Sequence, residues 1–191
     1  MWNVPNSLTL LRILLIPVFI GILYAPDTWL TMHEKNLVAT VIFALAAITD
    51  WLDGYFARIL NQSSAFGAFL DPVADKLMVA AALVMLIELG RVGAFVTFII
   101  IGREIAISAL REWMAGIGER GSVAVAYIGK VKTAVQMIAI LFLLYHDSLD
   151  LGMGEINIQF IGRVLIVIAA NLTLLSMAYY LKAAWPSMKA K

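Results

Sequence analysis

The sequence predicts an all-α integral membrane protein with six transmembrane helices and both termini in the cytoplasm. Of its 191 residues, 62% are hydrophobic and 14% are charged, whereas soluble domains carry about 25% charged residues. The apolar residues form six separate runs, and each membrane-spanning helix needs roughly 20 of them. Because little sequence remains outside these runs, we expect a single membrane domain over residues 1–191.

The six spans are predicted from the apolar runs and from the short breaks between them, which are polar or contain glycine. They are expected at about 8–25, 36–57, 67–89, 92–114, 123–145 and 157–184. The first run has no Lys or Arg before Arg12 and no clear cleavage site, so we expect it to be retained as a span. No internal repeat is visible, which disfavours the inverted repeats of many transporters.

Basic residues predict the orientation. If both termini and the second and fourth loops lie on one side, that side holds 11 of the 14 Lys and Arg residues and the other side holds 3. Because cytoplasmic loops of membrane proteins carry an excess of Lys and Arg, we expect the first side to be cytoplasmic. The net charge of +1 excludes nucleic-acid binding by bulk charge, and the absence of Cys excludes disulfides and thiolate sites.

Four aspartates flank the predicted second loop. Asp50 and Asp53 share a face of the second helix, and Asp71 and Asp75 share a face of the third. Asp53 and Asp71 are each nine residues from Gln62 at the loop centre, while Asp50 and Asp75 are twelve and thirteen residues from it. Since antiparallel helices rise equally per residue, the four carboxylates should lie at matching depths and form one anionic site.

The composition of this anionic site predicts a hard metal ion and a phosphate-containing ligand. Four carboxylates in a half-buried site cannot all remain ionised without a counter-charge. Oxygen ligands without nearby His or Cys select Mg²⁺, Mn²⁺ or Ca²⁺ over zinc. The small residues Gly54, Ala57 and Gly67 would let a nucleobase or a phosphate chain approach the backbone, and Arg58 is suited to bind a phosphate.

Three other interpretations of the aspartates are open. They could be helix caps and solvated loop residues, with Asp71 as the cap before Pro72. They could form the ion path of a cation transporter, or belong to a structural membrane protein. Carboxylates inside apolar segments are costly and usually functional, and these four lie towards one end of their spans. Both points favour a catalytic site facing one side of the membrane.

The spacing of these residues resembles the signature of the CDP-alcohol phosphotransferases, matching it at eight fixed positions within 26 residues. The matching pattern is Asp50-x2-Asp53-Gly54-x2-Ala57-Arg58-x8-Gly67-x3-Asp71-x3-Asp75. The resemblance extends over nearly the whole chain, including residues 5–12, 102–104 and 129–133. It implies a bacterial inner-membrane enzyme of phospholipid synthesis with its active site facing the cytoplasm.

The resemblance also implies the reaction. The phosphatidyl group of CDP-diacylglycerol would pass to glycerol 3-phosphate, giving phosphatidylglycerophosphate and CMP; inositol phosphate or serine are the alternative acceptors. Family members are usually homodimers, although no Gly-x-x-x-Gly pair here supports a dimer face. Beyond its substrates and membrane lipids we expect no nucleic-acid partner.

Roles for individual residues follow from the same resemblance. Asp50, Asp53 and Asp71 would bind a pair of divalent ions, Mg²⁺ or Mn²⁺. Asp75 would also face the second ion and act as the general base. Contacts to the CDP-linked lipid would come from Gly54 and Arg58, with space made by Ala57 and Gly67.

Four basic residues fall at the predicted cytoplasmic ends of spans four and five: Arg103, Arg111, Lys130 and Lys132. They could hold the phosphate of the acceptor, although basic residues collect on the cytoplasmic side of any membrane protein. Lys130 and Lys132 face different sides of a helix, so we do not expect both to touch the phosphate if the helix includes them. Glu104 and Glu112 are candidates to pair with these cations.

The N-terminal segment adds three polar residues, Asn6, Thr9 and Arg12. They could reach the nucleotide or brace the site. Alternatively, Ser7 or Thr9 caps a helix and Arg12 extends to the membrane interface.

Overall fold

A computed structural model describes residues 4–59, 65–118, 127–150 and 155–189, which form six helices and one short strand pair. The helices are α1 (Val4–Tyr24), α2 (Met32–Ile59), α3 (Ala65–Glu88), α4 (Ala94–Gly116), α5 (Tyr127–Tyr145) and α6 (Ile158–Lys189). Strands β1 (Leu149–Asp150) and β2 (Glu155–Ile156) pair antiparallel between α5 and α6. The all-α class and the order of the helices are confirmed within the described residues.

Helix boundaries differ from the expected spans in two informative places. Helix α3 begins at Ala65, so Asp71 and Pro72 lie inside it, and the interpretation of Asp71 as a helix cap is wrong. Helix α6 continues to Lys189, beyond the end of the apolar run expected at residue 184. Its last turn includes the polar residues Ser187 and Lys189. The strand pair was not expected, since its two-residue strands are too short to leave a periodic pattern.

The helices present apolar surfaces outward. In the described part of the chain, three segments are long and apolar enough to cross a membrane: Asn6–Tyr24, Tyr127–Tyr145 and Ile158–Pro186. Large apolar side chains are also exposed on the other helices, including Ile48 on α2, Phe69 on α3 and Phe98 on α4. Such surfaces are stable against lipid but not in water, so the chain is a membrane protein.

Packing brings α1 against both α2 and α3, while α6 packs against both α4 and α5. The first group is joined to α5 by a core of fully buried side chains that includes Phe19, Phe43, Leu83 and Ile140. A separate cluster joins α4 to α6. As a result, α1 lies beside α2 and α3, which carry the four aspartates, and α6 lies beside α4 and α5, which carry the four basic residues.

Arg91, in the connection between α3 and α4, lies at the end of the bundle away from the four aspartates. It links this connection to α2 and α5 through hydrogen bonds. Its guanidinium donates to the carbonyls of Leu143 and Leu144 at 2.9 and 2.8 Å, and to Asn36 Oδ1 at 2.6 Å. Burial lowers the pKa of the Arg91 guanidinium, and the charge of Asp147 partly offsets this. Arg91 therefore satisfies the last carbonyls of α5, where positive charge also complements the helix dipole.

The contact between α5 and α6 leaves no space for a side chain at Gly162. A Cβ atom there would lie 2.9 Å from Leu143 Cγ and 3.2 Å from Phe142 Cβ. Gly162→Ala should therefore lower the unfolding temperature in detergent, with a cost of about 1–3 kcal/mol from overpacking. The matched control is Gly21→Ala in α1, where nothing lies within 4 Å. It should be neutral or slightly stabilising, and equal melting temperatures for the two variants would contradict this packing.

Candidate active site

Arg12 of α1 joins two of the predicted aspartates. Its Nη1 atom donates to Asp50 Oδ1 on α2 at 2.9 Å and also contacts Asp75 Oδ1 on α3. Both carboxylates are about 40% exposed, at 43% and 42%, whereas Arg12 is only 1% exposed. Because a single nitrogen reaches both, Asp50 and Asp75 lie at matching depths on neighbouring helices, as the spacing around the loop predicted.

Thr9, one turn before Arg12 on the same face of α1, contacts a third aspartate. Its hydroxyl donates to Asp71 Oδ1 at 2.5 Å, and the Thr9 residue is fully buried. Helix α1 therefore orients three of the four predicted carboxylates from one side. Asn6, a further turn back, is also buried, so the polar face of α1 points into the bundle and Arg12 does not extend to the interface.

For the other residues predicted to form the site, the structure shows mainly which helix each belongs to. Asp53, Gly54, Ala57 and Arg58 belong to α2, but the structure describes only the helical backbone at these four positions. Gly67 is buried in the first turns of α3. Their roles therefore remain predictions from the sequence.

The donor chemistry of the site fits a hard divalent cation. The described aspartates offer carboxylate oxygens from two facing helices, and the neighbouring Thr9 and Arg12 can orient these oxygens through hydrogen bonds. Such ligands suit Mg²⁺ or Mn²⁺ rather than zinc. Among the side chains that are described, which exclude Asp53, no three His, Cys, Asp or Glu residues gather closely enough to hold one ion. The ligand set predicted from the sequence adds Asp53 to Asp50, Asp71 and Asp75, and the Asp53 side chain lies outside the described residues.

A cavity of about 100 Å³ lies beside this centre. Its polar wall consists of Arg12, Asp50, Asp75 and Thr133, and the rest of its wall is apolar. The apolar residues are Phe43, Ala46, Ala47, Met78, Val79 and Met137. The carboxylates are thus in contact with a small apolar space between α2, α3 and α5.

A second polar centre lies between α4, α5 and α6. Lys132 of α5 is 1% exposed and its ammonium contacts Glu104 Oε1. Arg103 of α4 donates to the same oxygen at 3.3 Å and to Ser176 Oγ of α6 at 3.0 Å. The sequence-based suggestion that Glu104 pairs with these cations is confirmed. Two cations sharing one carboxylate leave the Arg103–Lys132–Glu104 group with a net positive charge.

The remaining two predicted basic residues are placed differently. Arg111 is exposed, donates to the Tyr180 hydroxyl at 2.9 Å and stacks on the Tyr180 ring, which Arg103 also contacts. Lys130 is exposed on α5. Because α5 begins at Tyr127, Lys130 and Lys132 are both helical and face different sides, as expected. The structure therefore brings together Arg103, Arg111 and Lys132, and leaves Lys130 on the surface.

The contribution of α6 to the second polar centre was not predicted from the sequence, and the role of the polar residues on α1 was left open. Ser176 and Tyr180 were not singled out, although they are spaced i, i+4 within an apolar run, which places them on one face. The signal for α1 was an arginine inside the first span, since a buried charge in a membrane helix requires a partner. Neither pattern identifies the partner, because that depends on which helices pack together.

The fold is an all-α membrane bundle with two polar centres between its helices. The chain belongs to the CDP-alcohol phosphatidyltransferase family, whose sequence profile it matches over residues 2–180. It is therefore an enzyme that transfers a phosphatidyl group, not a transporter or a structural membrane protein.

Similar curated proteins are named CDP-diacylglycerol–glycerol-3-phosphate 3-phosphatidyltransferase. The protein from Escherichia coli K12 is 49% identical over 186 residues, covering 96% of this chain and 95% of the relative. The protein from Salmonella typhimurium LT2 is 50% identical with the same coverage. The protein from Shigella flexneri is 49% identical, again with the same coverage.

Proposed function

We propose that this chain transfers the phosphatidyl group of CDP-diacylglycerol to glycerol 3-phosphate, giving phosphatidylglycerophosphate and CMP. The observation that carries the proposal is the identity of 49–50%, across 96% of the chain, to relatives named for this reaction. The two polar centres supply what the reaction needs, namely an acidic site for the activated phosphates and a cationic site for the acceptor.

The proposed setting is the inner membrane of a bacterium. All six helices cross the bilayer, both termini are cytoplasmic, and the active site opens to the cytoplasm, where glycerol 3-phosphate is found. The excess of basic residues on that side supports this orientation. The enzyme acts as a homodimer, as its family resemblance implies.

Asp50, Asp53, Asp71 and Asp75 would hold two divalent ions, Mg²⁺ or Mn²⁺. Bound there, the ions would clamp the diphosphate and neutralise the charge that develops as CMP leaves. Gly54, Ala57 and Gly67 leave space for the CDP group, and Arg58 binds its phosphates. The carboxylate contacts of Thr9 and Arg12 support this arrangement, because ligands already oriented by hydrogen bonds lose little freedom when they bind an ion.

Asp75 acts as the general base of the transfer. A hydroxyl oxygen of glycerol 3-phosphate attacks the phosphorus linked to diacylglycerol, and its proton passes to the Asp75 carboxylate. The bond between that phosphorus and the CMP oxygen breaks, and CMP leaves with the bonding electron pair. Asp75 is 42% exposed, so the acceptor hydroxyl can reach it, and positioned general bases contribute roughly 10²–10⁴ to rates.

The phosphate of glycerol 3-phosphate binds the cationic group around Lys132. Arg103 and Lys132 are held beside each other by Glu104, and Tyr180 holds Arg103 next to Arg111. A phosphate dianion matches this excess of positive charge and accepts hydrogen bonds from all three cations. Lys130, which faces outward, would attract the anion from solution without holding it.

The proposed acceptor is tested by measuring CMP release from CDP-diacylglycerol with glycerol 3-phosphate, glycerol, serine and an inositol phosphate. We expect glycerol 3-phosphate to react roughly 10⁴-fold faster than glycerol or serine. These two acceptors lack the phosphate and would leave the charged groups of the site without a partner. Faster reaction with serine or an inositol phosphate would replace the proposed acceptor. No CMP release with any acceptor would refute the reaction.

Variants of the two lysines test the acceptor site within the same assay. Lys132→Met should raise the KM for glycerol 3-phosphate about 10- to 100-fold, the size expected when a charged hydrogen bond is lost. The matched change Lys130→Met should raise it less, because that side chain is exposed. Equal increases in the KM values for glycerol 3-phosphate and CDP-diacylglycerol would show that Lys132 supports the fold and does not bind the acceptor.

A further inference from the structure

Arg12 is a buried charge whose described partners are two of the proposed metal ligands. It is 1% exposed, and its Nη1 atom contacts Oδ1 of both Asp50 and Asp75. The guanidinium is always protonated, so its charge is permanently inside the carboxylate centre. Because Asp50 is on α2 and Asp75 is on α3, this contact also fixes the distance between the two helices at the site.

The position of Arg12 is set by the fold. Helix α1 packs against both α2 and α3, and Thr9, one turn earlier, is hydrogen-bonded to Asp71 at 2.5 Å. Because the Arg12 side chain is only 1% exposed, it cannot move away from Asp50 and Asp75 without opening this packing. The guanidinium is therefore a fixed part of the centre, unlike a surface arginine that exchanges partners.

A fixed cation has two opposite consequences for a metal site. Without a bound metal, it compensates Asp50 and Asp75, which would otherwise repel each other. When a metal binds, the same charge repels the ion and competes for carboxylate oxygens. Arg12 should therefore stabilise the metal-free protein and weaken metal affinity.

We propose that Arg12 is a built-in counter-ion that positions Asp50 and Asp75 and holds the affinity of the site for divalent metal at a low, exchangeable level. This is a role for a positioning residue on α1, separate from the aspartates that would bind the ions. The inference rests on the proposed metal site.

The protein is first treated with EDTA in detergent and then titrated with Mn²⁺. Two quantities are measured at each Mn²⁺ concentration: the unfolding temperature, and the amount of bound Mn²⁺ by electron paramagnetic resonance. For Arg12→Met we expect a lower unfolding temperature without metal than in the wild type, a larger rise with Mn²⁺, and half-saturation at about tenfold lower Mn²⁺. Arg12→Lys keeps the charge and should half-saturate close to the wild-type concentration.

Thr9→Val is the matched control, because it removes a hydrogen bond to the same set of carboxylates without changing charge. It should not tighten Mn²⁺ binding. If Arg12→Met binds Mn²⁺ as weakly as the wild type or more weakly, or cannot be recovered folded even in Mn²⁺, the counter-ion role is refuted. If the wild type itself shows no response to Mn²⁺, the proposed metal site fails, and the counter-ion role fails with it.

Discussion

Asp75→Asn should lower the rate of CMP release by about 1,000-fold, within the range for loss of a general base. Asparagine has nearly the same shape but cannot take the proton of the acceptor hydroxyl. Its amide also weakens the contact with Arg12 without emptying the space between α2 and α3. Turnover is measured as CMP released at saturating CDP-diacylglycerol and glycerol 3-phosphate, so that changes in binding do not hide the effect on chemistry.

The control for this variant is Asp27→Asn. Asp27 is exposed and pairs with Lys35 at 2.6 Å, in the connection between α1 and α2 and away from the carboxylate centre. This change should leave turnover near the wild-type value. Mn²⁺ binding to Asp75→Asn should be largely retained, because the other three aspartates remain. Near-normal turnover of Asp75→Asn would remove its role as the base.

Removal of divalent metal should abolish CMP release completely, and Mg²⁺ or Mn²⁺ should restore it. The reason is electrostatic: the CDP diphosphate is anionic, and the aspartates alone would repel it from the site. The measurement is turnover of the purified enzyme after EDTA treatment and dialysis, with each ion then added back over a range of concentrations.

Zinc serves as the contrasting ion in this experiment. A site of carboxylate oxygens should restore activity with Mg²⁺ or Mn²⁺ in preference to Zn²⁺, which favours nitrogen and sulfur ligands. The Arg91→Met variant provides a protein control, since Arg91 lies at the far end of the bundle and should leave the metal requirement unchanged. Full activity in EDTA would end the two-metal proposal.

The helices and one relation between them could be predicted from the sequence. The six apolar runs correspond to six helices in the expected order. An apolar run of about 20 residues has the length of one membrane-spanning helix, so each run predicts one helix. The matching depth of Asp50 and Asp75 followed from counting residues around the loop, and the shared contact with Arg12 confirms it. Counting works here because helical rise per residue is constant.

A local sequence pattern was misleading at Asp71 and Pro72, where the same two residues fit either the start of a helix or its interior. Asp71 before Pro72 has the pattern of a helix start, yet α3 begins at Ala65 and includes both residues. A helix can tolerate proline when neighbouring helices and side chains satisfy the freed backbone groups. Here the packing of α3 against its neighbours allows the helix to continue through a sequence that often marks a helix start.

The sequence by itself determined the membrane class, the family signature and the pairing of acidic residues across one loop, because these depend on composition and on spacing along neighbouring helices. Only the tertiary structure decided that Arg12 and Thr9 contact those aspartates and that Ser176 and Tyr180 contact Arg103. These contacts join residues 38 to 77 positions apart. Such pairings are fixed by the burial of whole helix faces against one another, which no local pattern in the chain encodes.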